Sequence, residues 1–319
     1  MKKHKFLSLL CALIMCISLA PQIALATFSE NNSNENHTID TPYVYPVVPG
    51  THEWNILDTQ AEKVAVCQIP VDILSSLTTE ALVETVLDYP LMCNISAYNN
   101  FLSGYEAVKA QFNGLQELST RSDAEEVLSN FMSRSTFSAV DISEQVYSKV
   151  IASAISGDLA REVRPRAWDG TVYTANGYAI PVTYNATYAY WGVSEEYVAS
   201  EQARHEARYP NATCLRTYNP SYNCHSYAWY SQRPTNTAWM NDPSANILYG
   251  SYVSGSAVSG NKVLYGTAGR YPEHSGIVAT NSTSSSIRVD SKWGMLGVFN
   301  HKVNDCPYSS APSYWKATF

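Results

Sequence analysis

Between residues 51 and 135 the apolar positions recur at helical spacing. Leu82, Val83, Val86 and Leu87 form an i, i+1, i+4, i+5 stripe that follows the start signal Thr78-Thr79-Glu80 and is stopped by Pro90. Phe101, Leu102, Tyr105, Val108 and Phe112 predict a second helix. The capping-box pattern Ser122-Asp123-Ala124-Glu125 opens a third, carrying Val127, Leu128 and Phe131. Stripes of this kind bury themselves against one another, so residues 51–135 read as a helical module, with Glu80, Glu84 and Asp88 on its solvated face. The same period runs on through Val140, Ile142, Val146, Val150, Ile151 and Ile155, predicting a helical connector over 136–166. It ends at Gly157 or in the basic stretch around Arg161, Arg164 and Arg166.

From Trp168 the pattern changes. Residues 171 to 174, 179 to 184 and 186 to 191 cluster strand-forming residues around Gly and Asn turns. Residues 194 to 208 revert to helix, opening at Ser194-Glu195-Glu196, with Tyr197, Val198, Ala203 and Ala207 on one face and Pro210 beyond the end. Asn219-Pro220 marks a turn, after which a helix begins near Tyr222 to Cys224 and carries Tyr227, Ala228 and Tyr230 inward. Three strands follow, over 262 to 265, 274 to 279 and 286 to 290. The fold class expected is α+β: an N-terminal helical module, then a domain over 167–319 with an antiparallel sheet and a helix carrying Cys224.

The N-terminal end adds a destination. A basic start (Lys2, Lys3, Lys5), an apolar stretch from Phe6 to Ala20 and Ala24-Leu25-Ala26 make residues 1–26 a signal peptide by pattern. Residues 27–50 follow as an Asn-rich disordered tether and an extended strap set by Pro42, Pro46 and Pro49. No other run approaches the roughly 20 apolar residues a membrane span needs, so no stable membrane insertion is expected. Removing Lys2, Lys3 and Lys5 with the leader takes the formal net charge from −7 to −10, which argues against nucleic acid as a partner. Tyrosine contributes 23 residues, suiting a cleft for sugars or extended peptides as well as ordinary sheet packing.

Five cysteines remain beyond the leader: Cys67, Cys93, Cys214, Cys224 and Cys306. An odd number in an exported chain leaves at least one thiol unpaired. With Cys224 as that thiol, up to two disulfides remain open among the others, Cys214 with Cys306 being one candidate. The chain lacks C-x-x-C, HExxH, P-loop and dinucleotide motifs, so no metal or other cofactor is invoked.

Cys224 lies in Tyr222-Asn223-Cys224-His225-Ser226-Tyr227-Ala228-Trp229, and His274 opens the apolar run His274-Ser275-Gly276-Ile277-Val278. A cysteine in the first turn of a helix sees unpaired N–H groups that favour its thiolate, and a histidine elsewhere can serve as its base. The plain alternative for Cys224 is an inert buried thiol or half of a disulfide. Residues 210 to 300 resemble the core of papain-like amidases and peptidases of bacterial cell walls, the NlpC/P60 and CHAP families. Their pattern is a helix-start cysteine followed by small and aromatic residues, a Gly-Asp turn into an apolar strand ending in an aromatic, and a His-x-x-Ile/Val strand. Here these are Cys224 to Trp229, Gly260 to Tyr265 and His274 to Val278. Asn261 replaces the usual Asp, and His225 directly follows the cysteine, which leaves subfamily and substrate open.

The resemblance implies a papain-like domain over 167–319, with attack by Cys224, proton transfer through His274, and a polar residue on the next strand orienting the imidazole. That residue maps to Asp290, with Ser291 as the alternative because a one-residue register change reverses the face. Tyr222 and Trp293 are candidate substrate walls and Asn223 a candidate oxyanion donor, each with core packing as the alternative. His225 is expected at the surface or on a substrate wall, and His301 at the cleft or a strand end. The function implied is an exported cysteine hydrolase cleaving amide bonds in peptidoglycan peptides. Two alternatives stand beside it: a non-enzymatic cell-wall-binding protein, and a transglutaminase-like acyl transferase with the same Cys, His, Asp order.

Overall fold

Side-chain caps set several of the helix starts. Thr78 Oγ1 accepts the N–H of Ala81 at the start of α4 (Thr79–Leu87), after three short helices, α1 (His52–Asn55), α2 (Gln60–Val66) and α3 (Val71–Ser76). The computed structural model describes residues 38–135, 142–159 and 170–319. The signal peptide expected over 1–26, the tether ahead of Thr38 and the stretch bearing Arg161, Arg164 and Arg166 lie outside the described residues. Pro42 to Gly50 runs along α4, with the Tyr43 N–H on Thr85 Oγ1 at 2.9 Å and the Tyr45 hydroxyl on Thr85 O. A 3-10 segment (Met92–Ala97) leads to α5 (Phe101–Gln111), capped by Asn100, then α6 (Asn113–Leu118), α7 (Ala124–Ser135) and α8 (Ile142–Ile155).

A three-stranded sheet joins β1 (Gly170–Tyr173), β2 (Ala179–Tyr184) and β4 (Ala238–Trp239). The larger sheet has seven strands in the order β3 (Thr213–Arg216), β9 (Val298–Lys302), β8 (Arg288–Lys292), β7 (His274–Val278), β6 (Lys262–Tyr265), β10 (Pro312–Ala317) and β5 (Tyr252–Ser254). Every neighbour pair in both sheets is antiparallel. The class is therefore α+β. Further helices among the described residues are α9 (Tyr188–Trp191), α10 (Glu195–Arg208), α11 (Cys224–Trp229) and α12 (Ala245–Leu248). The strand expected over 186 to 191 is α9 instead. Thr187 caps its start and Gly192, at φ 72°, ends it in the left-handed region, so local capping outweighs the β preference of its aromatic side chains. No helix among the described residues is long and apolar enough to cross a membrane.

The period-two alternation of the large sheet sorts its side chains between two cores. Val263, Tyr265, Val278, Val289 and Phe299 join one cluster with Trp54, Leu82, Tyr105 and Phe112 of the helical segment. Leu264, Ile277 and Val298 pack instead on the side of Tyr227, Ala228 and Trp229 from α11. Helical segment and sheet thus share one core within a unit spanning Thr38–Phe319. Polar ties cross the same junction: a buried Lys63–Asp305 ion pair, Trp54 Nε1 to Arg208 O at 3.0 Å, and Tyr308 Oη to Ala97 O at 2.7 Å. Cys67, Cys93, Cys214, Cys224 and Cys306 all carry free thiols. The bridge considered between Cys214 and Cys306 is not formed: Cys214 is exposed on the edge strand β3, whereas Cys306 is buried against the carbonyls of Val303 and Tyr308.

Candidate functional site

Asn223 caps α11 and in doing so uses its whole side chain. Its Oδ1 accepts the N–H groups of Ser226 at 3.1 Å and Met240 at 3.2 Å, while Nδ2 donates to Met240 O at 2.6 Å and Asn99 Oδ1 at 2.9 Å. With both donors and both lone pairs engaged, it is the helix cap and not the oxyanion donor expected from sequence.

Cys224 follows as the first residue of α11, only 2% exposed. Its Sγ lies 3.9 Å from Asn99 Oδ1. Burial pushes the thiol up to about 12, against the N–H groups of Ser275 and His225 and the side chain of Lys292, which favour the thiolate, while burial also pushes the Lys292 amine well below its usual range. The helix that Cys224 opens packs against β7, the strand that His274 begins.

His274 begins β7 and is fully buried. Its ring stacks on Tyr308, with centroids 3.6 Å apart and planes 9° apart, and sits 5.2 Å from Tyr265. Neither ring nitrogen has a hydrogen-bond partner among the described residues. Burial pushes the imidazole well below its usual range, and His301 and His225 nearby act in the same direction. Strand alternation assigns Ser275 and Ile277 to the face carrying α11, where Ser275 Oγ receives Trp229 Nε1 at 2.8 Å. His274 and Gly276 take the other face, on which a Cβ at Gly276 would meet Val289 Cγ1 at 2.3 Å and Ser291 Cβ at 3.1 Å. Cys224 and His274 thus approach from different sides of the same strand end, with Tyr308 as shared neighbour: it stacks on His274, and a thiolate at Cys224 raises its phenol. No hydrogen bond joins sulfur to imidazole.

Asp290 does not orient His274. It pairs with Ile277, so it stands on the α11 face, where its Oδ1 accepts Asn300 Nδ2 at 2.6 Å. The polar residue sharing the face of His274 is Ser291, whose Oγ bonds His301 Nε2 at 2.8 Å and accepts Trp293 Nε1 at 3.1 Å. Trp293 and Tyr222 are core residues and not substrate walls. Trp293 is stacked on Phe299 at 4.2 Å, and Tyr222 is buried beneath Lys292 Nζ, 5.0 Å from its ring centroid. His225 is likewise buried and not at the surface, its Nδ1 2.7 Å from Ser275 Oγ, and burial lowers its pKa to about 4. Tyr230, expected inward, is exposed because α11 stops at Trp229.

A cavity of about 760 Å³ opens beside these residues, with Asn99, Trp191, Trp239, Asn241, Tyr271 and Glu273 among its walls. Glu273 leads directly into His274. It is spoken for, accepting Tyr98 Oη at 2.6 Å and the Ser310 N–H at 2.7 Å. Among the described residues no group of three or more His, Cys, Asp or Glu side chains is arranged to hold a metal ion. Asn99 is the residue that sequence reading missed. It belongs to the helical segment, lines the cavity and touches both Asn223 and Cys224, yet Tyr98-Asn99-Asn100 reads in sequence as a plain turn between helices. No protein-family model, curated protein or solved structure matches this chain.

Proposed function

We propose that the chain is an exported, papain-like cysteine hydrolase that cleaves amide bonds in peptides, with peptidoglycan peptides as substrate class. One observation carries this reading: Cys224 opens α11, which packs on the strand that His274 begins, and its sulfur lies 3.9 Å from Asn99 on the wall of a 760 Å³ cavity. Cys224 supplies the nucleophile and His274 the base, which requires the imidazole to close to hydrogen-bond reach of the sulfur around the strand end they share. At rest the proton stays on sulfur, because burial raises the thiol and lowers the imidazole. It moves to the imidazole as the S–C bond forms, then to the leaving amine, and water hydrolyses the thioester. Export is supported by the basic, apolar and small-residue pattern of residues 1–26. Asp290 has no part in this reading.

The test is release of new amino groups from purified peptidoglycan by the wild-type chain and by Cys224→Ala. Release that disappears in the variant supports the proposal; equal release from both, or none from either, counts against it. A second reading draws on a specific observation, the 2% exposure of Cys224 and its thiol raised to about 12. It makes the chain a non-enzymatic cell-wall-binding protein, and predicts that Cys224→Ala binds purified sacculi as well as wild type while neither releases peptide.

A further inference from the structure

We propose that Asn99, contributed by the helical segment, is a catalytic residue of this site: its side-chain N–H takes the oxygen of the scissile carbonyl as Cys224 attacks. This rests on the reading of Cys224 as nucleophile. The turn that carries Asn99 is held on several sides. Tyr98 donates its hydroxyl to Glu273 and packs edge-on against Tyr308, whose own hydroxyl binds Ala97 O. Gly294, at φ 51°, approaches so closely that a Cβ there would stand 2.8 Å from the carbonyl oxygens of both Ala97 and Tyr98. On the other side Asn100 is fixed by capping α5, its Oδ1 accepting the Ser103 N–H at 2.8 Å.

The orientation of the amide follows from its neighbours. Asn223 Oδ1 receives two backbone N–H groups, so the atom it turns to Asn99 is the donor Nδ2, and the atom of Asn99 that receives it is Oδ1. The same Oδ1 faces the Cys224 thiol at 3.9 Å. Nδ2, on the other arm of the planar amide, has no partner among the described residues, and the residue lines the open cavity. A fixed N–H beside a nucleophile and open to substrate is what a developing oxyanion requires. On attack the Sγ–C bond forms, the carbonyl electron pair moves onto oxygen under the Asn99 N–H, and the thiol proton passes to His274. Collapse returns the pair, and the amine leaves with that proton. The helical segment is then part of the site and not a separable attachment.

The experiment measures muropeptide hydrolysis and Cys224 alkylation by iodoacetamide in full-length protein carrying Cys214→Ser. Asn99→Ala is expected to lower kcat by about 10²–10³ with KM within threefold, while Cys224 alkylates no more slowly than in the parent. Asn99→Asp, which keeps an acceptor towards Asn223 and removes the N–H, guards against a loosened turn and is expected to show the same fall in kcat. A kcat within threefold of the parent in both variants, or a fall in Asn99→Ala matched by an equal fall in alkylation, overturns the role of Asn99. If Cys224→Ala retains turnover, the nucleophile reading fails and the role of Asn99 with it; loss in Cys224→Ala alongside full activity in both Asn99 variants removes only the latter.

Discussion

Tyr308 lies flat on the His274 imidazole, with centroids 3.6 Å apart, while its hydroxyl donates to Ala97 O at 2.7 Å. One side chain therefore ties the strand of the candidate base to the turn preceding Asn99. Tyr308→Phe keeps the stack and leaves one buried carbonyl unpaired, for an expected cost of about 1–3 kcal/mol. Tyr308→Ala removes the ring as well, for about 3–5 kcal/mol. Urea unfolding of both variants checks the difference; equal costs would mean that the stack contributes nothing.

Acidification is expected to destabilise the fold. Burial holds His205 at about 3, His225 and His301 at about 4, and His274 well below its usual range. In the unfolded chain each titrates near 6.5, so below that pH the unfolded state binds protons that the folded state refuses. The contribution of these histidines is full above about pH 6.5 and falls with decreasing pH by up to about 1.4 kcal/mol per unit for each; buried Lys262, lowered to about 8, and Lys292, well below its usual range, act in the same sense at higher pH. Burial raises the carboxyls of Glu201 and Asp305, which act in the opposite sense at lower pH, so the clean window is pH 5 to 6.5. Urea midpoints across that window should drop steeply as pH is lowered; a flat profile contradicts the buried neutral state of these rings.

Cysteine reactivity should rank by exposure. Cys214 is exposed, whereas Cys67, Cys93, Cys224 and Cys306 are buried with thiols at about 12. Iodoacetamide at pH 7.5 is expected to modify Cys214 first and Cys224 at least tenfold more slowly, the latter accelerating as pH rises. Peptide mapping by mass spectrometry checks the order, and fast labelling of Cys224 at neutral pH would contradict the resting thiol.

How legible the chain was depended on where the information lay. The cap at Thr78, the stripe of α4 and the start of α11 are local, so a few neighbouring residues specify them. Face assignment is not local. Asp290 and Ser291 differ by one position, and only the pairing of β7 with β8 tells which of them shares a side with His274. Trp293 and Tyr222 are aromatic in either setting, cleft or core, and the surrounding core decides. Asn99 reaches Cys224 across 125 positions of sequence, a contact that depends on the shared core of helices and sheet.

The buried pair at that junction gives a further check. Lys63 and Asp305 are both fully buried and bonded to each other, with Asn211 Nδ2 on the second carboxylate oxygen at 3.3 Å. Lys63→Met strands the carboxylate and is expected to cost about 3–5 kcal/mol, while Lys63→Met with Asp305→Leu recovers much of it. Additive losses in a double-mutant cycle of urea unfolding would contradict the pairing.

The nucleophile itself can be caught as the covalent intermediate. Intact-protein and peptide mass spectrometry after rapid quenching with an activated N-acyl peptide ester reads that species directly. The expected result is a mass increment equal to the acyl group on the peptide bearing Cys224, absent from Cys224→Ala. An unmodified wild-type chain, or an adduct that persists in Cys224→Ala, would contradict the assignment of Cys224 as the nucleophile.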